Sequence, residues 1–150
     1  MGPTPDPLLA SSVVWFDAFI TNVDRTARNT NLLIWHKKLW LIDNGAALYF
    51  QYNWKSYVER SRSAFPQVKD HVLLPWATRI QEADALALEI LTPEVIGDIV
   101  ALVPDEWLGD AAEFDSQAQQ RSAYVTYFEN RLSTPRTFVE EAISAHEQLV

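Results

Sequence analysis

Cysteine is absent from this chain of 150 residues, and glycine is scarce, with four residues. Without thiols the chain can form neither a disulfide nor a thiolate zinc site. The three histidines, His36, His71 and His146, are scattered along the sequence, so they do not suggest a metal cluster. These absences are typical of a protein from a reducing compartment, and we expect a cytoplasmic location.

Basic residues are outnumbered, because 12 Lys and Arg stand against 20 Asp and Glu, which gives a formal net charge of −8. That charge repels a phosphate backbone, and the sequence contains no basic run that could overcome the repulsion. No apolar run approaches the roughly 20 residues of a membrane helix, and the start of the chain lacks the basic residues of a signal peptide. We therefore expect a soluble protein with neither nucleic acid nor a membrane as a direct partner.

Aromatic residues are plentiful, with six Trp, five Tyr and seven Phe. A chain of this length buries enough surface for one domain and shows no sign of a second core. The net acidity argues against a platform that stacks nucleic acid bases. We therefore interpret the tryptophans as core and interface residues.

Helical spacing dominates the two ends of the sequence. Asp6 followed by Pro7 is typical of an N-cap and a first helical position, and apolar residues then recur at helical spacing to about Ile20. Beyond Pro75 the pattern predicts four more helices. They are a helix within residues 78–91, one started by Thr92-Pro93-Glu94, one capped by Asp115 that runs through Leu132, and one opened by Thr134-Pro135.

A β-hairpin is the only strong strand signal. The short apolar runs NLLIW and LWLID flank His36, Lys37 and Lys38, which we expect at a solvated tip. The mixed sequence of residues 45–70 predicts a loop with some helix. The expected fold class is therefore α+β and mainly α, with a small hairpin followed by a helical bundle.

Three polar residues interrupt the apolar pattern around the hairpin: Asp24, Asn29 and Asp43. Taken singly, each could simply turn a loop by bonding nearby backbone amides. Together, they could face one side of the hairpin, where hard oxygen ligands suit Mg²⁺. Phosphoryl transfer needs such a set, with a base for the attacking hydroxyl and ligands for the metal on the phosphates. Gly45 would let the backbone turn sharply away from this site.

The same residues resemble the HipA-like kinases, a family with a protein-kinase-like fold. The sequence N-x-D-R with an Asn five residues after the Asp, then N-L-L and L-W-L-I-D-x-G-A-A, carries the resemblance over residues 15–54. The resemblance implies a serine/threonine-type kinase that transfers a phosphoryl group from Mg-ATP to a hydroxyl. It makes Asp24 the catalytic base, Asn29 a metal ligand and Asp43 the second metal ligand, with both ligands serving the nucleotide.

Neighbouring residues receive roles from the same resemblance. Arg28 stands where better-known members carry Lys and keeps a positive charge near the transferred phosphate, whereas Thr26 replaces a His. Asn22 occupies the position of the His that usually precedes the base. Independently of the resemblance, Arg25 either pairs with a carboxylate and holds the loop or contacts substrate, and the first interpretation is preferred. Asn31 is either the first strand residue or a hydrogen-bonding support.

The resemblance corresponds to a C-terminal catalytic lobe. The catalytic segment comes so early that we expect residues 1–150 to form one domain without an N-terminal lobe, whose strand lysine and covering loop hold the phosphates. Two functions stay open. One is a kinase lobe that acts on a protein substrate and is completed by an N-terminal lobe or partner chain. The other is a catalytically silent scaffold or protein-binding module.

An exposed apolar surface is expected if another lobe normally covers the hairpin. Leu33, Trp35 and Trp40 would then lie partly in water, which favours a homo-oligomer or a partner. Serines after Asp43 are either sites of regulatory modification or ordinary solvated residues, and the second interpretation is preferred. They are Ser56, Ser61 and Ser63.

Overall fold

The structure is a computed structural model that describes residues 4–109 and 112–149. These residues form seven α-helices and one antiparallel sheet of two strands. The helices are α1 (Pro7–Phe19), α2 (Tyr57–Ser61), α3 (Ile80–Ile90), α4 (Pro93–Ala101), α5 (Asp105–Leu108), α6 (Gln117–Leu132) and α7 (Thr137–Glu147), and the strands are β1 (Leu32–Trp35) and β2 (Lys38–Leu41). Three short 3₁₀ helices lie at Tyr49–Tyr52, Pro66–Asp70 and Leu74–Trp76. The prediction of a mainly helical α+β fold is confirmed. No helix among the described residues has the length and apolar character to cross a membrane.

Helix α1 is the centre of the main core. It begins as predicted, since the Asp6 carboxylate accepts a hydrogen bond from the Leu9 N–H at 2.8 Å and Pro7 occupies the first turn. Trp15 stacks on Phe19 and meets the edge of Phe138 in α7. α1 thereby packs against both α3 and α7, and its C-terminal end fixes where the following loop starts.

A second, smaller core joins the segment after the hairpin to α6. Phe50 and Tyr127 stack with ring centroids 3.6 Å apart, and Trp54 packs edge-on against Phe50. The expected aromatic packing is therefore present, although only two of the six tryptophans are buried, Trp15 in the main core and Trp54 in this one. The exposed tryptophans are Trp35, Trp40, Trp76 and Trp107.

The predicted hairpin is confirmed, with a tighter tip than expected. Trp35 pairs with Lys38, so Lys38 belongs to β2 and the loop contains only His36 and Lys37. Both loop residues have positive φ, 48° and 62°. Two left-handed residues in a two-residue loop match the right-handed twist of the strands.

The C-terminal helices start near their predicted positions, with two corrections. Ser116 rather than Asp115 caps α6, because its hydroxyl accepts a hydrogen bond from the Gln119 N–H at 3.2 Å. α7 starts two residues after Pro135, since Arg136 is still non-helical. α4 starts at Pro93 as predicted, whereas the four-residue α5 was not predicted because it is too short to show a helical period.

Left-handed backbone conformations are concentrated between positions 21 and 56. Among the described residues, the non-glycine residues with positive φ are Thr21, Asn31, His36, Lys37, Asp43, Leu48 and Ser56. Such conformations cost on the order of 1 kcal/mol or more each and persist only where surrounding contacts enforce them. The chain turns at Gly45 as expected, since the Ala47 N–H donates to Asn44 O at 3.2 Å. The left-handed residue near this turn is Asp43, with φ 50°.

Candidate functional site

Two adjacent loops contain most of the predicted site residues. The first loop, residues 20–31, connects α1 to β1, and the second loop, residues 42–48, follows β2. Three backbone hydrogen bonds join them: Val23 N–H to Ala46 O at 3.2 Å, Ile42 N–H to Asn31 O at 3.0 Å, and Leu48 N–H to Ile20 O at 2.9 Å. The hairpin therefore returns the chain to its starting point, which places Asp24 and Asp43 on neighbouring segments.

The Asp24 carboxylate is oriented by two amides. Its Oδ2 accepts hydrogen bonds from Asn29 Nδ2 at 2.7 Å and from Asn31 Nδ2 at 3.2 Å. Asn31 Nδ2 also lies 3.4 Å from the backbone oxygen of Asp43, which links the two loops. Asn22 supports the backbone, since its Oδ1 accepts a hydrogen bond from the Asp24 N–H at 3.2 Å. Within the described residues Asp24 Oδ1 accepts no hydrogen bond, so one carboxylate oxygen is available to another group.

Arg28 lies at the exposed tip of the first loop. Thr26 and Asn29 close a tight turn beneath it, with Thr26 N–H to Asn29 O at 2.9 Å and Asn29 N–H to Thr26 O at 3.2 Å. Arg28 lines a pocket of about 370 Å³ together with Thr26, Ala27 and Asp70. Across the part of the chain that is described, it forms no hydrogen bond to Asp24. The structure thus brings Asn29 onto Asp24 and leaves Arg28 beside this pair.

Asp43 is exposed and lies in the second loop, two residues after β2 ends at Leu41. Its carboxylate accepts no hydrogen bond from residues 4–109 or 112–149. A Cβ added to Gly45 would lie 3.4 Å from Asp43 Oδ1, so the glycine leaves space beside this oxygen. No group of three or more His, Asp or Glu side chains in the described chain is arranged to hold a metal ion. A metal at this site would depend on the Asp43 carboxylate and the Asn29 amide oxygen.

Beneath the first loop lies a buried polar network centred on Asp17 of α1. Asp17 Oδ2 accepts hydrogen bonds from Arg25 Nε at 2.5 Å and from His71 Nε2 at 2.8 Å. Asp17 Oδ1 accepts from Asn22 Nδ2 at 3.0 Å and from Arg25 Nη2 at 3.3 Å. Burial raises the pKa of Asp17, but the hydrogen bonds from His71 and Arg25 and the charge of Arg25 outweigh it and lower the pKa below its usual value.

His71 is fixed as the Nε2-protonated tautomer by its two bonds. Its Nδ1 accepts a hydrogen bond from the Leu73 N–H at 3.0 Å, so the ring proton lies on Nε2, which donates to Asp17. The hydrogen bond to Asp17 therefore joins His71 to a distant part of the chain. The partner of His71 is 54 residues away in sequence.

Arg25 extends the network from Asp17 to both loops. Its Nη1 donates to the backbone oxygens of Asn31 at 2.5 Å and Ile42 at 3.3 Å, and its Nη2 donates to Asn44 Oδ1 at 2.5 Å. The sequence indicated a supporting ion pair for Arg25 but missed Asp17 and Asn44. An acid on the apolar face of α1 was the available signal for Asp17, since an unpaired carboxylate is rarely buried.

The outer face of the hairpin is exposed and apolar. Leu33, Trp35 and Trp40 retain 46%, 58% and 51% of their accessible surface. This exposure is as expected from the sequence, while the partner that it favours stays a prediction.

Comparisons with known proteins identify the family. The profile of the HipA-like kinases matches residues 5–140, a stretch that includes both loops and six of the seven helices in full. Neither the curated proteins nor the solved structures provide a significant match. Because the match covers nearly the whole chain, the chain belongs to the family of HipA-like kinases.

Proposed function

We propose that this chain is the C-terminal catalytic lobe of a HipA-like kinase and transfers the terminal phosphoryl group of Mg-ATP to a hydroxyl. The main support for the proposal is the way in which the Asp24 carboxylate is hydrogen-bonded. One of its carboxylate oxygens is held by Asn29 and Asn31, and Asn31 also contacts the loop of Asp43. Membership of a kinase family implies ATP and a divalent metal for the family in general.

The residues present fit a divalent metal. Asn29 donates to Asp24 through its amide nitrogen, which leaves the amide oxygen for other contacts, and Asp43 has an exposed carboxylate. Both are hard oxygen donors, as Mg²⁺ prefers. Asn29 and Asp43 would hold the metal, which when bound neutralises charge on the phosphates.

Asp24 is suited to act as the base. Because its Oδ2 is occupied by two amides, its Oδ1 can accept a hydrogen bond from a substrate hydroxyl and orient the oxygen toward the phosphate. As the new oxygen–phosphorus bond forms, the bond between the γ-phosphorus and the β–γ bridging oxygen breaks, ADP leaves, and the hydroxyl proton moves to Asp24. Arg28, at the tip of the same loop, supplies positive charge beside the pocket that it lines with Thr26 and Asp70.

A complete kinase also needs a strand lysine and a covering loop, which hold the phosphates. We propose that an N-terminal lobe or a partner chain contributes these two parts. A protein substrate contributes the hydroxyl.

A second function is favoured by the exposed hairpin. The apolar side chains of Leu33, Trp35 and Trp40 form a surface that a partner could cover. In that case the chain is a catalytically silent scaffold whose kinase-like loops serve only the fold.

Calorimetric titration of Mg-ATP into the purified chain distinguishes the two functions. We expect binding by the wild type, loss of binding in Asp43→Ala, and unchanged binding in Asp98→Ala, which removes an exposed acid from α4. Asp24→Asn should retain binding and lower phosphoryl transfer by about 10²–10⁴-fold. Equal binding by Asp43→Ala would contradict the kinase proposal and favour the scaffold. Absence of binding by the wild type would be the result of either a scaffold or a lobe that binds nucleotide only together with an N-terminal lobe or partner chain.

A further inference from the structure

We propose that Asp17, which lies outside the predicted motif, is the positioning residue that fixes the first loop against the second loop. The importance of this role for catalysis rests on the proposed function, in which the first loop contains the base, Asp24, and the second loop contains the metal ligand Asp43. Asp17 touches neither Asp24 nor Asp43, so it acts through Arg25 and Asn22.

The position of Asp17 is set by the scaffold and not by the loops. It lies in the second half of α1, whose neighbours Trp15 and Phe19 are packed in the main core, and its side chain is fully buried. Its two oxygens accept four hydrogen bonds from three residues, so every acceptor direction of the carboxylate is in use. A buried carboxylate with this many donors has one stable orientation.

Because Asp17 holds the Arg25 guanidinium in one orientation, the other contacts of Arg25 set the distance between the two loops. While Nε and Nη2 are held by Asp17, Nη1 reaches Asn31 O and Ile42 O, and Nη2 reaches Asn44. The contacted residues lie at the end of the first loop and on both sides of Asp43 in the second. A planar guanidinium cannot move one of these contacts without disturbing the others. The separation of Asp24 from Asp43 is therefore fixed by a residue of α1.

A second buried carboxylate provides a matched control. Asp84 of α3 accepts hydrogen bonds from Trp15 Nε1 at 2.9 Å and from Arg136 Nη2 at 2.7 Å. It also joins separate elements through an ion pair, but it has no contact with either loop. Asp84→Asn should therefore lower stability without altering the loops, whereas Asp17→Asn should do both.

The test compares amide hydrogen exchange, followed by NMR, with calorimetric titration of Mg-ATP. The informative amides are those of Val23, Ile42 and Leu48, which join the two loops. In Asp17→Asn we expect these amides to exchange at least about tenfold faster than in Asp84→Asn. Affinity for Mg-ATP should fall about tenfold or more in Asp17→Asn only, because small displacements of a site have large effects.

The outcomes separate this inference from the proposed function. If the three amides exchange at the same rate in both variants, Asp17 does not position the loops and the inference is overturned, whether or not the wild type binds nucleotide. If the wild type and Asp43→Ala bind Mg-ATP equally while the amides of Asp17→Asn still exchange faster, the kinase proposal fails and the positioning role is supported.

A second variant covers the case in which Asp17→Asn does not fold. Asn44→Ala removes one exposed contact of Arg25 and leaves the Asp17–Arg25 pair intact. We expect faster exchange at Ile42 and an unchanged rate at Val72, whose N–H donates to Arg25 O at 3.0 Å. An unchanged rate at Ile42 would overturn the inference.

Discussion

Arg131 of α6 is a buried arginine whose removal provides a sharp test of the packing. Only 1% of its surface is exposed, and no carboxylate in the described residues lies within ion-pair distance. Its Nη2 donates to Ala18 O at 2.6 Å, its Nη1 donates to Ser61 O and Ser63 O at 3.3 Å, and its guanidinium carbon lies 4.5 Å from the Phe138 ring centroid. Burial lowers the pKa of Arg131 from its usual value.

The charge is stabilised by the ends of two helices. Ala18 and Ser61 lie in the last turns of α1 and α2, where carbonyl oxygens carry partial negative charge. Arg131→Met keeps a long apolar side chain but removes the Arg131 donor from these oxygens, and within the described chain Ala18 O keeps only a 3.4 Å hydrogen bond from the Thr21 N–H. A buried acceptor that loses its donor costs about 1–3 kcal/mol, while relief of the buried charge offsets part of the loss. We therefore expect the free energy of unfolding to fall by about 2–4 kcal/mol.

Arg121→Met in the same helix is the control. Arg121 pairs with Asp105, whose side chain is 61% exposed, so its loss should cost at most about 1 kcal/mol. Urea unfolding followed by far-UV circular dichroism measures both values, and the melting temperature of Arg131→Met should fall by roughly 5–15 °C. Equal destabilisation by the two variants would refute the reasoning, and a stabilised Arg131→Met would show that desolvation dominates.

Three further predictions follow from the cores, the surface and the ionisable network. Leu74 is fully buried, so Leu74→Ala should lower the unfolding free energy by about 2–5 kcal/mol in urea titrations, whereas Trp107→Ala, at a side chain 79% exposed, should change it by less than about 0.5 kcal/mol. Trp40→Ser should leave the melting temperature within a few degrees and should reduce any self-association seen by sedimentation; unchanged association would remove the hairpin as its cause. Because the pKa of Asp17 is lowered on folding, its stabilising contribution is present above the ordinary value of 3.8 and is lost as the pH falls through the folded value. The acid unfolding of wild type should therefore be steeper below pH 3.8 than that of Asp17→Asn, and parallel curves would contradict this assignment.

Local signals predicted those elements that local chemistry specifies. Asp6-Pro7 and Thr92-Pro93 both start helices because a capping side chain and a proline act within one turn. The predicted start of α7 was too early, because Thr134-Pro135 has the same local pattern but does not initiate a helix. The chain becomes helical only at Thr137. The hairpin followed from its apolar runs, but its register required knowledge of which residues take left-handed conformations.

The site was predicted in part for the same reason. Asp24 and Asn29 meet within a single loop, so their five-residue spacing contained the information. The bond between Asp17 and His71 spans 54 residues and depends on how α1 packs against the segment after Asp70. No periodicity or motif in the sequence encodes that packing, although an acid among the buried positions of α1 indicated that a partner had to exist.

The left-handed residues between positions 21 and 56 have a consequence for protein engineering. The chain has four glycines, none at these seven positions, so side chains occupy conformations that only glycine adopts freely. The segment therefore cannot hold its shape by itself and depends on α1 and α6 around it. Transplanting residues 21–56 onto another protein would transfer the motif but lose its geometry, so the smallest portable unit of this site includes both α1 and α6.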